Sequence, residues 1–118
     1  MLQNRWIVGL IVAVFTVLTL AAGADAHGPQ AVTLTYDKAQ STLEVKITHK
    51  TPRTSHYIDQ VILQRNGQEI GVYTYKSQPD PDTFTYSYKV EAAPGDVLEA
   101  KAVCNIVGSK TGRLSVGR

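Results

Sequence analysis

A single cysteine, Cys104, stands among 118 residues. One thiol excludes an intramolecular disulfide, a CxxC redox pair and a thiolate zinc cluster. Histidine is almost as scarce, with only His27, His49 and His56. These four side chains are the whole inventory of good transition-metal ligands. Charge of one sign is also lacking. Twelve Lys+Arg face ten Asp+Glu, and the basic residues are scattered, so no nucleic-acid partner is expected. No HExxH pair, Gly-rich phosphate loop or Ser/His/Asp arrangement occurs, and no internal repeat or low-complexity tract. The length fits one small domain.

Long apolar runs are confined to the start of the chain. After Arg5, residues 6–24 carry no charge, and Ala24-Asp25-Ala26 closes the segment with small residues. A basic residue, an apolar stretch and an AxA motif together read as a secretory signal over residues 1–26. The rival reading is an uncleaved anchor, since about 20 apolar residues span a bilayer. Only that reading would make the membrane a partner. Export predicts a periplasmic or extracytoplasmic location. Cleavage after Ala26 would make His27 the first residue of a domain spanning 27–118. It would also remove Trp6 and Phe15, leaving a core of β-branched residues, leucines and tyrosines.

From residue 31 onward the chain alternates with period two. Val32, Leu34 and Tyr36 share one face, as do Leu43, Val45 and Ile47 in the next segment, the mark of half-buried strands. A third strand is expected over 57–65. Asn66-Gly67 then supplies the strongest short hairpin signal, because a type I′ turn needs positive φ at both positions. The returning strand carries Val72, Thr74 and Lys76 against Tyr73 and Tyr75. Pro79 and Pro81 interrupt it, since neither can donate to a ladder. Strands over 83–91, 97–104 and 113–116 follow. About seven short strands with no helical period predict an all-β, immunoglobulin-like sandwich. The strand after the proline break is a candidate for a sheet edge, and an edge there would make a homodimer possible; the sequence leaves both open. Tyr73, Tyr75, Tyr86 and Tyr88 read as cross-strand pairs.

On this map His49 ends the second strand. His56 opens the third across the short loop 50–55, and Cys104 ends the sixth. His27 precedes the first. Singly, a histidine at a strand end is ordinarily a solvated loop residue, and a lone cysteine a small core hydrophobe. Together they place three imidazoles and a thiolate where they can converge on one rim, if the sheet order brings the sixth strand to the third. Such a donor set suits iron, copper or zinc.

The stretch from His27 to Gly108 resembles the iron domain of the desulfoferrodoxin and neelaredoxin family, the superoxide reductases. Three pieces carry the resemblance: Thr48-His49-Lys50 followed by His56-Tyr57-Ile58, then Cys104-Asn105-Ile106-Val107-Gly108, and His27 ahead of a proline-containing extended segment. The resemblance implies an immunoglobulin-like sandwich and a non-haem iron (Fe2+/Fe3+) centre. It makes His27, His49 and His56 equatorial ligands and Cys104 the axial thiolate. It also implies superoxide as substrate and an electron donor, as yet unidentified, as partner.

Two positions depart from the family. Val107 stands where the family has a fourth histidine, and Ala26 where it has a lysine beside the open site. Lys50, Arg53 and Lys110 are the cations available to replace that lysine. An α-amino group at His27, freed by cleavage, would be a substitute fourth nitrogen, since its pKa of about 7.7–8.0 lets it deprotonate near neutrality. Two further readings stand beside the first. One is a periplasmic copper-binding module built on the amine and imidazole of His27 with His49 or His56. The other is a metal-free structural or assembly sandwich in which the family site has decayed.

Overall fold

The computed structural model describes residues 28–117, so the segment 1–26 and His27 lie outside the described residues. Seven strands follow one another: β1 (Ala31–Asp37), β2 (Thr42–Thr48), β3 (Ile58–Arg65), β4 (Gln68–Thr74), β5 (Thr83–Lys89), β6 (Val97–Cys104) and β7 (Ser109–Ser115). They form a three-stranded sheet, β1-β2-β5, and a four-stranded sheet, β4-β3-β6-β7. Every pairing is antiparallel. The fold is all-β, as the alternation requires. No helix among the described residues is long and apolar enough to cross a membrane.

The inward faces are those the period-two reading selects. Leu43, Val45 and Ile47 of β2 meet Val61 and Leu63 of β3 and Leu98, Ala100 and Ala102 of β6 in one buried cluster. Each fully buried aliphatic side chain contributes roughly 1.5–3 kcal/mol. Alanine at two successive inward positions of β6 leaves room for the larger residues opposite. On β7, Gly112 permits close approach of β1, because a Cβ there would sit 2.5 Å from the Val32 carbonyl oxygen.

One irregularity matters for function. Val61 and Leu63 point inward, so strict alternation would also turn Asp59 into the core. Burying a carboxylate among Leu and Ile side chains is costly. A bulge between Ile58 and Gln60 shifts the register, and Ile58, rather than Asp59, stands opposite Cys104. Ile58 is thereby buried and Asp59 only half-buried. Bulges of this kind re-aim side chains beside functional sites.

Three details differ from the sequence expectation. β4 begins at Gln68 and β7 at Ser109, each earlier than the apolar alternation suggests. Both are edge strands, whose ladders need only backbone groups, so polar outward residues carry no hydrophobic signal. The tyrosines pair between the sheets instead of along one ladder. Tyr75 stacks on Tyr86 at 4.2 Å and Tyr73 lies 4.4 Å from Tyr88, while the Tyr75 and Tyr88 hydroxyls are 2.7 Å apart. Burial, reinforced by Tyr75, pushes the Tyr86 phenol up to about 12 and the Tyr88 phenol further still. β5 is an edge strand, which settles a position that the proline break left open.

Candidate metal centre

The sheet order answers the question that spacing left open. β3 and β6 are neighbours, so the start of one lies beside the end of the other. His56 precedes β3 and Cys104 closes β6. The His56 Nε2 and the Cys104 Sγ are 2.9 Å apart. His49 follows β2 in the other sheet, and its ring meets that of His56 edge-on, with centroids 4.7 Å apart at 85°. One ligating atom from each of His49, His56 and Cys104 falls within 4.8 Å of the others. Three of the four sequence candidates are thus brought together. The fourth, His27, lies outside the described residues. Its neighbour Gly28 packs against Gly108 of the cysteine loop: a Cβ on Gly28 would be 3.3 Å from the Gly108 Cα.

His49 does not follow the ordinary rule for a histidine at a strand end. It is fully buried. Its backbone N–H donates to Asp82 O at 2.8 Å, and Nδ1 is 2.8 Å from Oε1 of Gln78. Gln78 belongs to the connection between β4 and β5. Cys104 is both a core residue, 5% exposed, and a donor. Besides His56, its sulfur receives the Ile106 N–H at 3.4 Å. Its backbone N–H donates to Gly108 O at 3.0 Å, closing the loop 105–108, where Gly108 takes the left-handed φ of 89°. A Cβ at Gly108 would come within 2.9 Å of the Gly28 Cα, so glycine is required there twice over.

Asn105 ties the cysteine loop to the histidine loop. Its side chain accepts the Tyr57 N–H and donates to Ser55 O, each at 2.9 Å. Its own N–H donates to Tyr57 O at 2.9 Å. These bonds bracket His56 on both sides in the chain. The sequence marks Asn105 only as the neighbour of the cysteine, and nothing in it marks Gln78, a lone glutamine in a proline-rich loop. Val107 is 52% exposed and Ile106 63%. The position of the family's fourth histidine therefore carries an outward aliphatic side chain.

A cleft of about 330 Å³ opens beside the donors, with His56, Tyr57, Gln78 and Arg53 in its wall. Of the three cations that could replace the family's lysine, Arg53 is the one that lines it.

The donors fit a single ion. Bonds of about 2.1 Å to nitrogen and 2.3 Å to sulfur put donors on opposite sides of one ion about 4.4 Å apart. The donor atoms lie within 4.8 Å of one another, so the widest separation needs slight contraction, and the 2.9 Å between His56 Nε2 and Cys104 Sγ slight widening. Two imidazoles and a thiolate are the ligand set of a borderline metal such as iron, copper or zinc, and unsuited to calcium or magnesium.

The structure is a two-sheet β-sandwich with the His49/His56/Cys104 cluster, a group that could hold a metal ion, at one end. No family model matches the chain, nor does any curated protein. Among solved structures it is similar in fold to superoxide reductases of the neelaredoxin type. The neelaredoxin of Ignicoccus hospitalis is 15% identical, with 75% of this chain and 80% of that chain covered and a TM-score of 0.47. A variant of the same Ignicoccus protein is 19% identical over 81% and 83%, with a TM-score of 0.48. The reduced neelaredoxin of Archaeoglobus fulgidus is 17% identical over 80% and 93%, with a TM-score of 0.45.

Proposed function

We propose that the chain is an exported mononuclear non-haem iron protein that reduces superoxide to hydrogen peroxide. The observation that carries this reading is the convergence of His49, His56 and Cys104 from both sheets onto one point. The sequence resemblance through His56-Tyr57-Ile58 and Cys104-Asn105 supports the choice of iron. Export rests on the residues 1–26 alone, and His27 joins the donor set as its fourth member.

Iron bound there would supply the single electron. Superoxide, one electron and two protons give hydrogen peroxide, and an external one-electron donor restores the reduced state. The protein's own groups do the rest. Cys104 Sγ presents thiolate electron density from a buried position, and the Ile106 N–H moderates it by hydrogen bonding. Arg53, in the cleft wall, provides positive potential on the approach of a small anion. The cleft admits such an anion from solvent to the His56 side of the cluster.

Anaerobic loading with Fe(II) tests the reading. One iron per chain, and on oxidation a thiolate-to-iron charge-transfer band that disappears in Cys104→Ser, are expected. Superoxide consumption is then assayed on the loaded protein. Tight copper binding without iron would instead establish the copper module, and binding of no metal the structural sandwich.

A further inference from the structure

The side chain of Gln78 is held by groups whose roles cannot be exchanged. Nε2 lies 2.8 Å from His49 O and 2.9 Å from Asp80 O. Oε1 lies 3.1 Å from the Ile58 N–H. Backbone carbonyls only accept and a backbone N–H only donates. The amide is therefore fixed in one orientation, with Oε1 as acceptor, and no flip satisfies the same three partners. The fourth contact is His49 Nδ1, 2.8 Å from that same Oε1. An acceptor at that distance requires the proton on Nδ1. A neutral imidazole protonated at Nδ1 carries its lone pair on Nε2.

We infer that Gln78 is a positioning residue: it sets the tautomer of His49 and commits Nε2 as the metal donor. This rests on the reading of the cluster as a metal centre. His49 is fully buried, so bulk water does not compete for Nδ1. The same amide spans three segments, joining the end of β2 through His49 O, the start of β3 through Ile58 N and its own loop through Asp80 O. It therefore fixes ring orientation and strand geometry with one side chain. His56 presents the equivalent nitrogen, since its Nε2 faces Cys104 Sγ. Outer partners of this type ordinarily account for about 10–100-fold in metal affinity.

Two variants separate positioning from a merely structural role. Gln78→Leu removes all four contacts. Gln78→Glu keeps an acceptor for Nδ1–H and for the Ile58 N–H but loses both donors to carbonyls. Long-range 15N–1H NMR of the metal-free wild type should show His49 with a protonated Nδ1 and a pyridine-type Nε2. The leucine variant should show mixed tautomers and Fe(II) affinity about 10–100-fold weaker. The glutamate variant should melt lower, like the leucine variant, yet keep the wild-type tautomer and most of the affinity. A wild-type His49 protonated at Nε2 overturns the inference. So does a leucine variant that retains both tautomer and affinity, or a glutamate variant that loses them. If the leucine variant does not fold, the wild-type tautomer and the glutamate variant still decide. Failure of the wild type to bind Fe(II) sinks the iron reading instead, while the metal-free spectra judge Gln78 independently.

Discussion

At the end of the sandwich away from the donors, the turns are fastened by carboxylates and by residues in left-handed conformation. Asp96 accepts the Ala93 N–H at 2.8 Å and the Asn66 amide at 3.0 Å, and Asn66 in turn accepts the Val97 N–H. Ser41 and Asn66 both adopt positive φ, and the bonds lie at the surface. At the donor end, the Asp80 carboxylate accepts the Asp82 and Thr83 N–H groups within the β4–β5 connection, but the side chains that tie one segment to another are neutral amides. Gln78 joins the β2, β3 and β4–β5 segments, and Asn105 joins the loops that carry His56 and Cys104. The difference is chemical as well as positional. An amide offers both donor and acceptor atoms to separate segments, whereas a carboxylate only accepts. The uncharged amide of Gln78 thus holds His49 Nδ1 and two backbone carbonyls with one side chain.

Substitutions at the two ends sharpen that contrast. The largest effect is expected from the donors: Cys104→Ser and His56→Ala should abolish stoichiometric Fe(II) binding, measured by metal analysis. Asp96→Asn at the other end should leave it intact. Next comes a matched pair of glycines. Gly108→Ala meets both a φ of 89° and the Gly28 backbone at 2.9 Å, and should cost about 2–3 kcal/mol in chemical denaturation and weaken metal binding. Gly67→Ala faces open space at a φ of 82°, and only the left-handed penalty of about 1 kcal/mol applies, with no effect on metal. Equal losses at the two positions would break the comparison.

Asn105→Ala removes two side-chain hydrogen bonds of 2.9 Å and a long one of 4.0 Å with Cys104 Sγ. Each contributes about 0.5–1.5 kcal/mol, so a loss of about 1–2 kcal/mol is expected, accompanied by weaker iron binding. The smallest effect concerns acid. Backbone and Asn66 hydrogen bonds hold the Asp96 carboxyl below its ordinary value of 3.8. A lowered carboxylate pKa adds stability above the unfolded value, and that stability is lost as pH falls through the folded one. Acid titration of stability should therefore be shallower below about pH 4 in Asp96→Asn. Metal binding at neutral pH should not change.

Most of the fold was legible because period-two alternation survives wherever one face of a strand is buried. Leu34, Leu43, Val45 and Ile47 all point where the pattern puts them. The polar starts of β4 and β7 were not legible, since their outward residues answer only to solvent. The bulge at Asp59 was hidden for a related reason. It arises from a conflict between alternation and the cost of burying a carboxylate, and appears only once β3 has a partner. Of the site, His49, His56 and Cys104 could be picked by residue type and by their places at strand ends. Their meeting depended on β3 lying beside β6, a fact of sheet order that no local pattern encodes. Gln78 was invisible because its role comes from four hydrogen bonds to separate segments, and glutamine in a loop has no signature.

The donors are drawn from both layers: His49 follows β2 of the three-stranded sheet, while His56 and Cys104 flank strands of the four-stranded one. Immunoglobulin-type sandwiches are commonly riveted through the middle by a disulfide between their sheets. A chain with one cysteine has no such rivet. An ion clasped between His49 and the other two donors would take its mechanical place, at the rim instead of the centre. Unlike a disulfide, that clasp strengthens with concentration: about 2.7 kcal/mol when free metal stands at a hundred times its dissociation constant. Heat resistance of this small sandwich then becomes a gauge of metal supply.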